Sequence, residues 1–324
     1  MVGRAVRGES TGCWRLLLVV VIGLGLGGCG SADEERAADT ADETLFVSRA
    51  LTPPNSFTSG VEGPAVDAEG TLYAVNYARS QTIGQVTPEG EMSVFVELPD
   101  SSIGNGIRFN SAGTMLVADY VGHNVLQVDM GTRAVRVLAH EPRMNQPNDL
   151  AIGADDRIYA SDPNWSASTG QLWRVDPDGS TTRLEAGMGT TNGIEVAPDE
   201  ETLYVGESVQ RTVWAYDLSD DGQISNKRLF IDFPDFGLDG MRADVEGNLY
   251  ITRHGKGTVV KVAPDGEILR DIELAGENPT NIAFGGPDGR TAYVTVADQG
   301  NIETFRVDHP GRSWQMAQER AERP

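Results

Sequence analysis

Residues 239–253 read DGMRADVEGNLYITR, and the fold turns on the fact that this stretch recurs. Residues 192–208 read NGIEVAPDEETLYVGES, 105–119 read NGIRFNSAGTMLVAD, and 148–162 read NDLAIGADDRIYASD. Residues 62–76, EGPAVDAEGTLYAVN, and 281–297, NIAFGGPDGRTAYVTVA, complete the set. The six copies begin at 62, 105, 148, 192, 239 and 281, at spacings of 43, 43, 44, 47 and 42. Each continues into a second β-rich run and a polar turn, as in 171–179 and 259–266. A period of 40–50 residues carrying four strands is the signature of a β-propeller blade. No convincing 3.6-residue periodicity interrupts the units, so a parallel α/β fold with helical crossovers does not fit.

The expected architecture is therefore an all-β, six-bladed propeller over residues 44–310. The sixth unit supplies three strands and lacks a clear fourth. Residues 44–51, TLFVSRAL, have strand character and no blade of their own, so they are expected to close the last blade. Residues 311–324 read as a polar C-terminal tail. Composition agrees with one large β domain: 39% hydrophobic residues can fill a core, and 38 glycines in 324 residues suit the many turns of six blades. The net charge of −22 argues against a nucleic-acid or anionic-membrane surface.

Upstream, Arg4, Arg7 and Arg15 precede an apolar run at 16–26 that is too short for a comfortable membrane span. It ends Leu26-Gly27-Gly28-Cys29, which resembles a bacterial lipobox. This implies a signal peptide over 1–28, lipidation on Cys29, an acidic flexible tether over 29–43, and export to the cell envelope with a lipid anchor as the only membrane contact. Cys13 and Cys29 are the sole cysteines, so the exported body has no disulfide framework, thiolate metal site or cysteine nucleophile.

In a propeller, the residue opening the innermost strand of each blade faces the axis. These positions are Glu62, Asn105, Asn148, Asn192, Asp239 and Asn281, and all carry an oxygen acceptor. One Asn-Gly or Asp-Gly pair is a turn by default. Six oxygen acceptors in phase, two of them carboxylates, would repel or go unpaired unless a cation joined them. Ca²⁺ takes 6–8 oxygen ligands in irregular geometry and fits best; Zn²⁺ and Mg²⁺ stay open. The DPDG run at 176–179 begins like a calcium loop, but residue 187 is Gly where such a loop needs Glu. No G-x-S-x-G elbow or phosphate-binding loop is present.

The chain resembles the senescence marker protein/gluconolactonase/luciferin-regenerating enzyme family. The resemblance is carried by Glu62-Gly63-Pro64, Pro147-Asn148-Asp149, Asn192-Gly193, Asp239-Gly240-Met241 and the last-unit run AFGGPDG at 283–289 followed by Tyr293-Val294-Thr295. It implies a calcium-dependent hydrolase of a small lactone or related ester, with Glu62, Asn148, Asn192 and Asp239 as metal ligands. In that chemistry a carboxylate activates water or attacks directly, and Asp239 is the expected base or nucleophile. Sugar-lactonase relatives often carry Arg two residues before the third-blade Asn; this chain has Gln146. Gln146, Trp165, Asn105 and Asn281 are expected to meet the substrate. Further loop residues expected on the same face are Tyr77, Arg79, Tyr120, His123, Gln210, Arg211, His254 and Lys256. Two other readings compete: a non-catalytic envelope propeller that binds a partner or glycan, and a streptogramin-lyase-like propeller, suggested by 83–90, IGQVTPEG.

Overall fold

The structure, a computed structural model, describes residues 44–99 and 101–321. The signal peptide, the tether and Cys29 lie outside the described residues. Among the described residues twenty-four strands form six four-stranded sheets, each antiparallel throughout. We letter the strands of a blade A to D from the axis outward. Blade one, for example, comprises Phe57–Val66, Leu72–Tyr77, Thr82–Val86 and Met92–Glu97.

Burial follows this order. Inner strands such as Met115–Asp119 and Leu249–Arg253 are buried at every position, because neighbouring blades cover both of their faces. Outer strands such as Ile224–Asp232 and Ile268–Glu273 are largely exposed. The hydrophobic core is accordingly a ring of six layers, one at each junction between blades. Tyr73, Val75 and Phe95 of blade one pack with Ile107, Met115 and Val117 of blade two. At the seam, Ile302 and Tyr293 of blade six pack with Phe57, Val61 and Leu72 of blade one. Between-strand turns use left-handed glycines where the backbone demands them, as at Gly266, with φ of 91°.

The N-terminal segment closes the ring as expected, but with less strand. Only Arg49–Ala50 pairs regularly, opposite Thr304 and Glu303. The reason is Phe46, whose φ of 62° turns the chain and ends the run. Its ring leaves the sheet and lies under the Arg270 guanidinium, 4.6 Å away, on blade five. Ser48 Oγ adds a hydrogen bond to Glu303 Oε2 at 2.7 Å. At the other terminus, Arg312–Ala321 forms a helix. Its Trp314 lies against Gly289, where even a Cβ would come within 2.5 Å of the indole. Among the described residues no helix is long and apolar enough to cross a membrane.

Candidate active site at the upper end of the axis

Glu62, Asn105, Asn148, Asn192 and Asp239 converge on one cavity of about 270 Å³. The glycines that follow these residues explain how. A Cβ on Gly63 would stand 2.0 Å from Asn105 O of the next blade, and one on Gly193 would stand 2.4 Å from Asp239 O. A Cβ on Gly240 would overlap the Asn281 side chain. Three of the Asn/Asp/Glu-Gly pairs are thus close-packing joints between neighbouring A strands rather than hairpin turns.

Asn281 is fully buried and does not line the cavity. Its Nδ2 donates to Glu62 Oε2 at 3.0 Å, and its Oδ1 accepts from Ile282 N at 2.9 Å. It stands behind Glu62 and orients it, rather than facing a substrate. Gly63 N donates to the same Glu62 oxygen at 2.5 Å.

The site is electrostatically unbalanced. Burial, and after it the neighbouring Asp149, push the Glu62 carboxyl above its ordinary range. Burial, and then the facing Glu62 carboxyl, push Asp239 well above its ordinary range too. Asn148 Oδ1, Asn192 Oδ1 and Asn105 Oδ1 are buried with no hydrogen-bond partner. The Asn192 amide is fixed from the other side, since its Nδ2 donates to Ser208 Oγ at 3.0 Å. Orphaned carbonyl oxygens beside two desolvated carboxylates suit a hard, oxygen-seeking cation. Among the described residues no three His, Cys, Asp or Glu side chains form a metal-holding group, so amide oxygens would have to complete any such ligand set.

A second lobe of about 460 Å³ adjoins the first and shares Trp165, Asn192 and Asp239 with it. Val209, Arg211, Phe236, Leu238 and His254 form the rest of its wall with Ser208 and Gly237. The loop residues expected on this face divide. Tyr120, Trp165, Arg211 and His254 reach the cavity. Tyr77 packs edge-on against Phe57, and Arg79 and Lys256 pair with Glu97 and Asp271. His123 Nδ1 bonds Met144 O at 2.6 Å, and Gln210 Oε1 accepts from Thr190 N at 2.8 Å. Gln146 is half-buried and does not line the cavity; its side chain meets the hydroxyl of Tyr120, which does.

The loops that deliver the axis residues are held by a repeated device. An acid near the end of strand B accepts backbone N–H groups from the loop entering strand A. Asp162 takes those of Asn145 and Gln146 at 2.8 and 2.6 Å, and Asp298 takes those of Glu277 and Asn278 at 3.0 and 2.8 Å. Glu207 takes Gly189 N at 2.8 Å, and Asp119 takes Ile103 N at 3.3 Å.

Deeper along the axis lies a network that sequence reasoning missed. Asp149 sits where four of the other five blades carry Gly after the axis residue and the fifth carries Ile. It binds Arg242 Nη1 at 2.9 Å and approaches Arg108 Nη1 at 3.4 Å. Glu195 lies 3.6 Å from Arg108 and 3.8 Å from Arg312, which the C-terminal helix inserts into the lower end. Burial opposes ionisation of Asp149, but Arg242 and Arg108 prevail and hold it below its ordinary value. The available signal was a charge inside an otherwise apolar A strand: Arg108, Glu195 and Arg242 each stand three residues after an axis residue.

The model of the SMP-30/gluconolactonase/LRE-like region matches residues 61–298. The chain belongs to that family. The gluconolactonase of Zymomonas mobilis is 27% identical over 291 residues, covering 79% of this chain and 81% of its own. A pentonolactonase of Haloferax volcanii is 31% identical over 201 residues, covering 61% and 68%. A solved structure described as a calcium-binding protein, regucalcin, from Agrobacterium tumefaciens superposes with a TM-score of 0.72 at 23% identity, over 82% of this chain and 97% of that one. This last likeness concerns the fold; the Zymomonas and Haloferax relatives are named for the lactones they act on.

Proposed function

We propose that the protein hydrolyses a lactone or related ester at the upper end of its axis, with Glu62, Asn148, Asn192 and Asp239 holding a calcium ion. The observation that carries this reading is the pairing of orphaned Asn148 and Asn192 carbonyl oxygens with two buried, mutually repelling carboxyls. The lactonases among the relatives supply the reaction class. When bound, the cation polarises the substrate carbonyl and stabilises the charge that develops on its oxygen. The chain's own residues do the rest. Asn281 and Gly63 N hold Glu62 in one orientation. Asp239, at the junction of the two lobes, is the base that takes a proton from water or the nucleophile that attacks the carbonyl. Trp165 forms a wall shared by both lobes and limits water around the reacting group.

Calcium titration by calorimetry, combined with a panel of lactones and aryl esters, tests this. Calcium-dependent turnover is expected. Absence of binding at millimolar calcium together with absence of turnover would favour a propeller that only binds a partner. We also infer export and anchoring through Cys29, supported by the Arg-rich, apolar, Leu-Gly-Gly-Cys leader. Metabolic labelling with an alkyne fatty acid should mark the wild type and leave Cys29→Ser unlabelled.

A further inference from the structure

The second lobe is chemically unlike the first. Trp165, Val209, Phe236 and Leu238 line it, and the first three are 38%, 54% and 49% exposed at its mouth. Neighbouring apolar side chains left in water around a cavity mark a binding surface. Some of the polar groups beside them are engaged with the chain itself, while Asn192 Oδ1 and the Asp239 carboxyl stand at the end shared with the first lobe. Arg211 Nη1 donates to Pro234 O at 3.1 Å. Ser208 Oγ donates to Leu238 O and accepts from Asn192 Nδ2. Burial lowers the His254 imidazole below its ordinary value, so this wall disfavours its charged form.

Phe236 is held in place by a departure from the repeated loop device. Where blades two, three, four and six carry an acid at or near the end of strand B, blade five has Arg253, buried to 2% exposure. Its Nε donates to Gly237 O at 3.3 Å, and its Nη2 donates to Asp235 O and, at 3.0 Å, to Asp235 Oδ1. Both neighbours of Phe236 are thus clamped, and the guanidinium stacks on Phe233 at 3.8 Å. Phe236 itself keeps a left-handed backbone, φ 44°, which a bulky residue adopts only when its surroundings enforce it. The ring is fixed at the cavity mouth against its own conformational preference.

We propose that the substrate is a lactone or ester bearing an apolar alkyl or aryl substituent, seated on Trp165, Val209, Phe236 and Leu238 while its carbonyl lies at the Asp239 end. This rests on the hydrolase reading and narrows it. A polyhydroxylated lactone would bury hydroxyls against this wall without partners, which disfavours it.

The test uses the calcium-supplemented protein, γ-lactones with side chains from methyl to hexyl, and glucono-1,5-lactone. kcat/KM should rise roughly threefold for each of the first few methylenes buried. The best alkyl lactone should exceed gluconolactone by at least about tenfold. Phe236→Ala should flatten the chain-length dependence, and Phe236→Leu should largely keep it. Efficient gluconolactone hydrolysis with no chain-length dependence overturns the apolar substituent while leaving the hydrolase reading standing. Inactivity of the wild type towards every lactone and ester overturns both.

Discussion

The two ends of the axis bury acids in opposite ways. At the lower end Asp149 lies between Arg242 and Arg108, and its carboxyl is held below the ordinary range. At the upper end Glu62 and Asp239 face each other with no cationic side chain among the described residues at hydrogen-bond distance, and both carboxyls are pushed up. The same ring of strands therefore contains an acid balanced by arginines and a pair of acids that no arginine or lysine among the described residues balances at hydrogen-bond distance. A buried polar group that goes unsatisfied is costly, so its retention points to use, whereas the matched one points to structure.

The largest effect should follow from Asp239→Asn. It should lower kcat/KM by about 10²–10⁴-fold while the circular dichroism spectrum stays that of the wild type. Full activity in that variant breaks the assignment of the upper end. Arg242→Ala strikes the lower end, leaving Asp149 without its bidentate partner. Urea unfolding should then show a loss of about 3–5 kcal/mol, and an unchanged midpoint would deny that the lower pair is structural. Gly193→Ala tests the joint that brings blades four and five together. Its methyl would meet Asp239 O, and unfolding should register a cost of about 1–3 kcal/mol together with weakened calcium binding.

The smallest effect is in pH dependence, where the two ends differ in sign. Raised folded-state values at Glu62 and Asp239 contribute stability that is fully present below the unfolded carboxylate range, about pH 4, and is lost as pH rises through the folded values. The depressed value at Asp149 contributes stability present above that range and lost as pH falls through its own. Metal-free protein should thus lose stability between about pH 5 and 8, and saturating calcium should remove the loss. Glu62→Gln should flatten the metal-free slope by about 1 kcal/mol for each pH unit in which Glu62 titrates. A Glu62→Gln slope identical to wild type would show that the upper carboxyls do not govern it.

Much of this molecule is legible in the chain. The blades are, because each copy must repeat the same turn chemistry at the same spacing. The axis ring is, because an identical register places its members at one radius. What escapes is whatever depends on contacts between distant segments. Asn281 is in phase with the cavity residues, yet it stands behind Glu62, since its amide is taken up by Glu62 and Ile282. Phe46 sits in a strand-like run, and only its packing on blade five shows why the strand stops. Part of the chain's acidity is put to internal use, because Asp119, Asp162, Glu207 and Asp298 clasp the loops that lead to the axis. Arg253 looks like an ordinary strand-end charge until Asp235 and Gly237 are seen on either side of Phe236.

The seam in blade six has a consequence for the order of events during synthesis. Ser48 and Glu303, joined there by a hydrogen bond, are 255 residues apart in the chain. The strand at Arg49–Ala50 is made early and cannot find its partner until Asn301–Arg306 has appeared. For nearly the whole of translation the growing ring presents open strand edges and half-covered layers. Ring closure thus waits on a set of late, long-range contacts, the kind of topology that slows folding and leaves open strand edges exposed to self-association in the meantime.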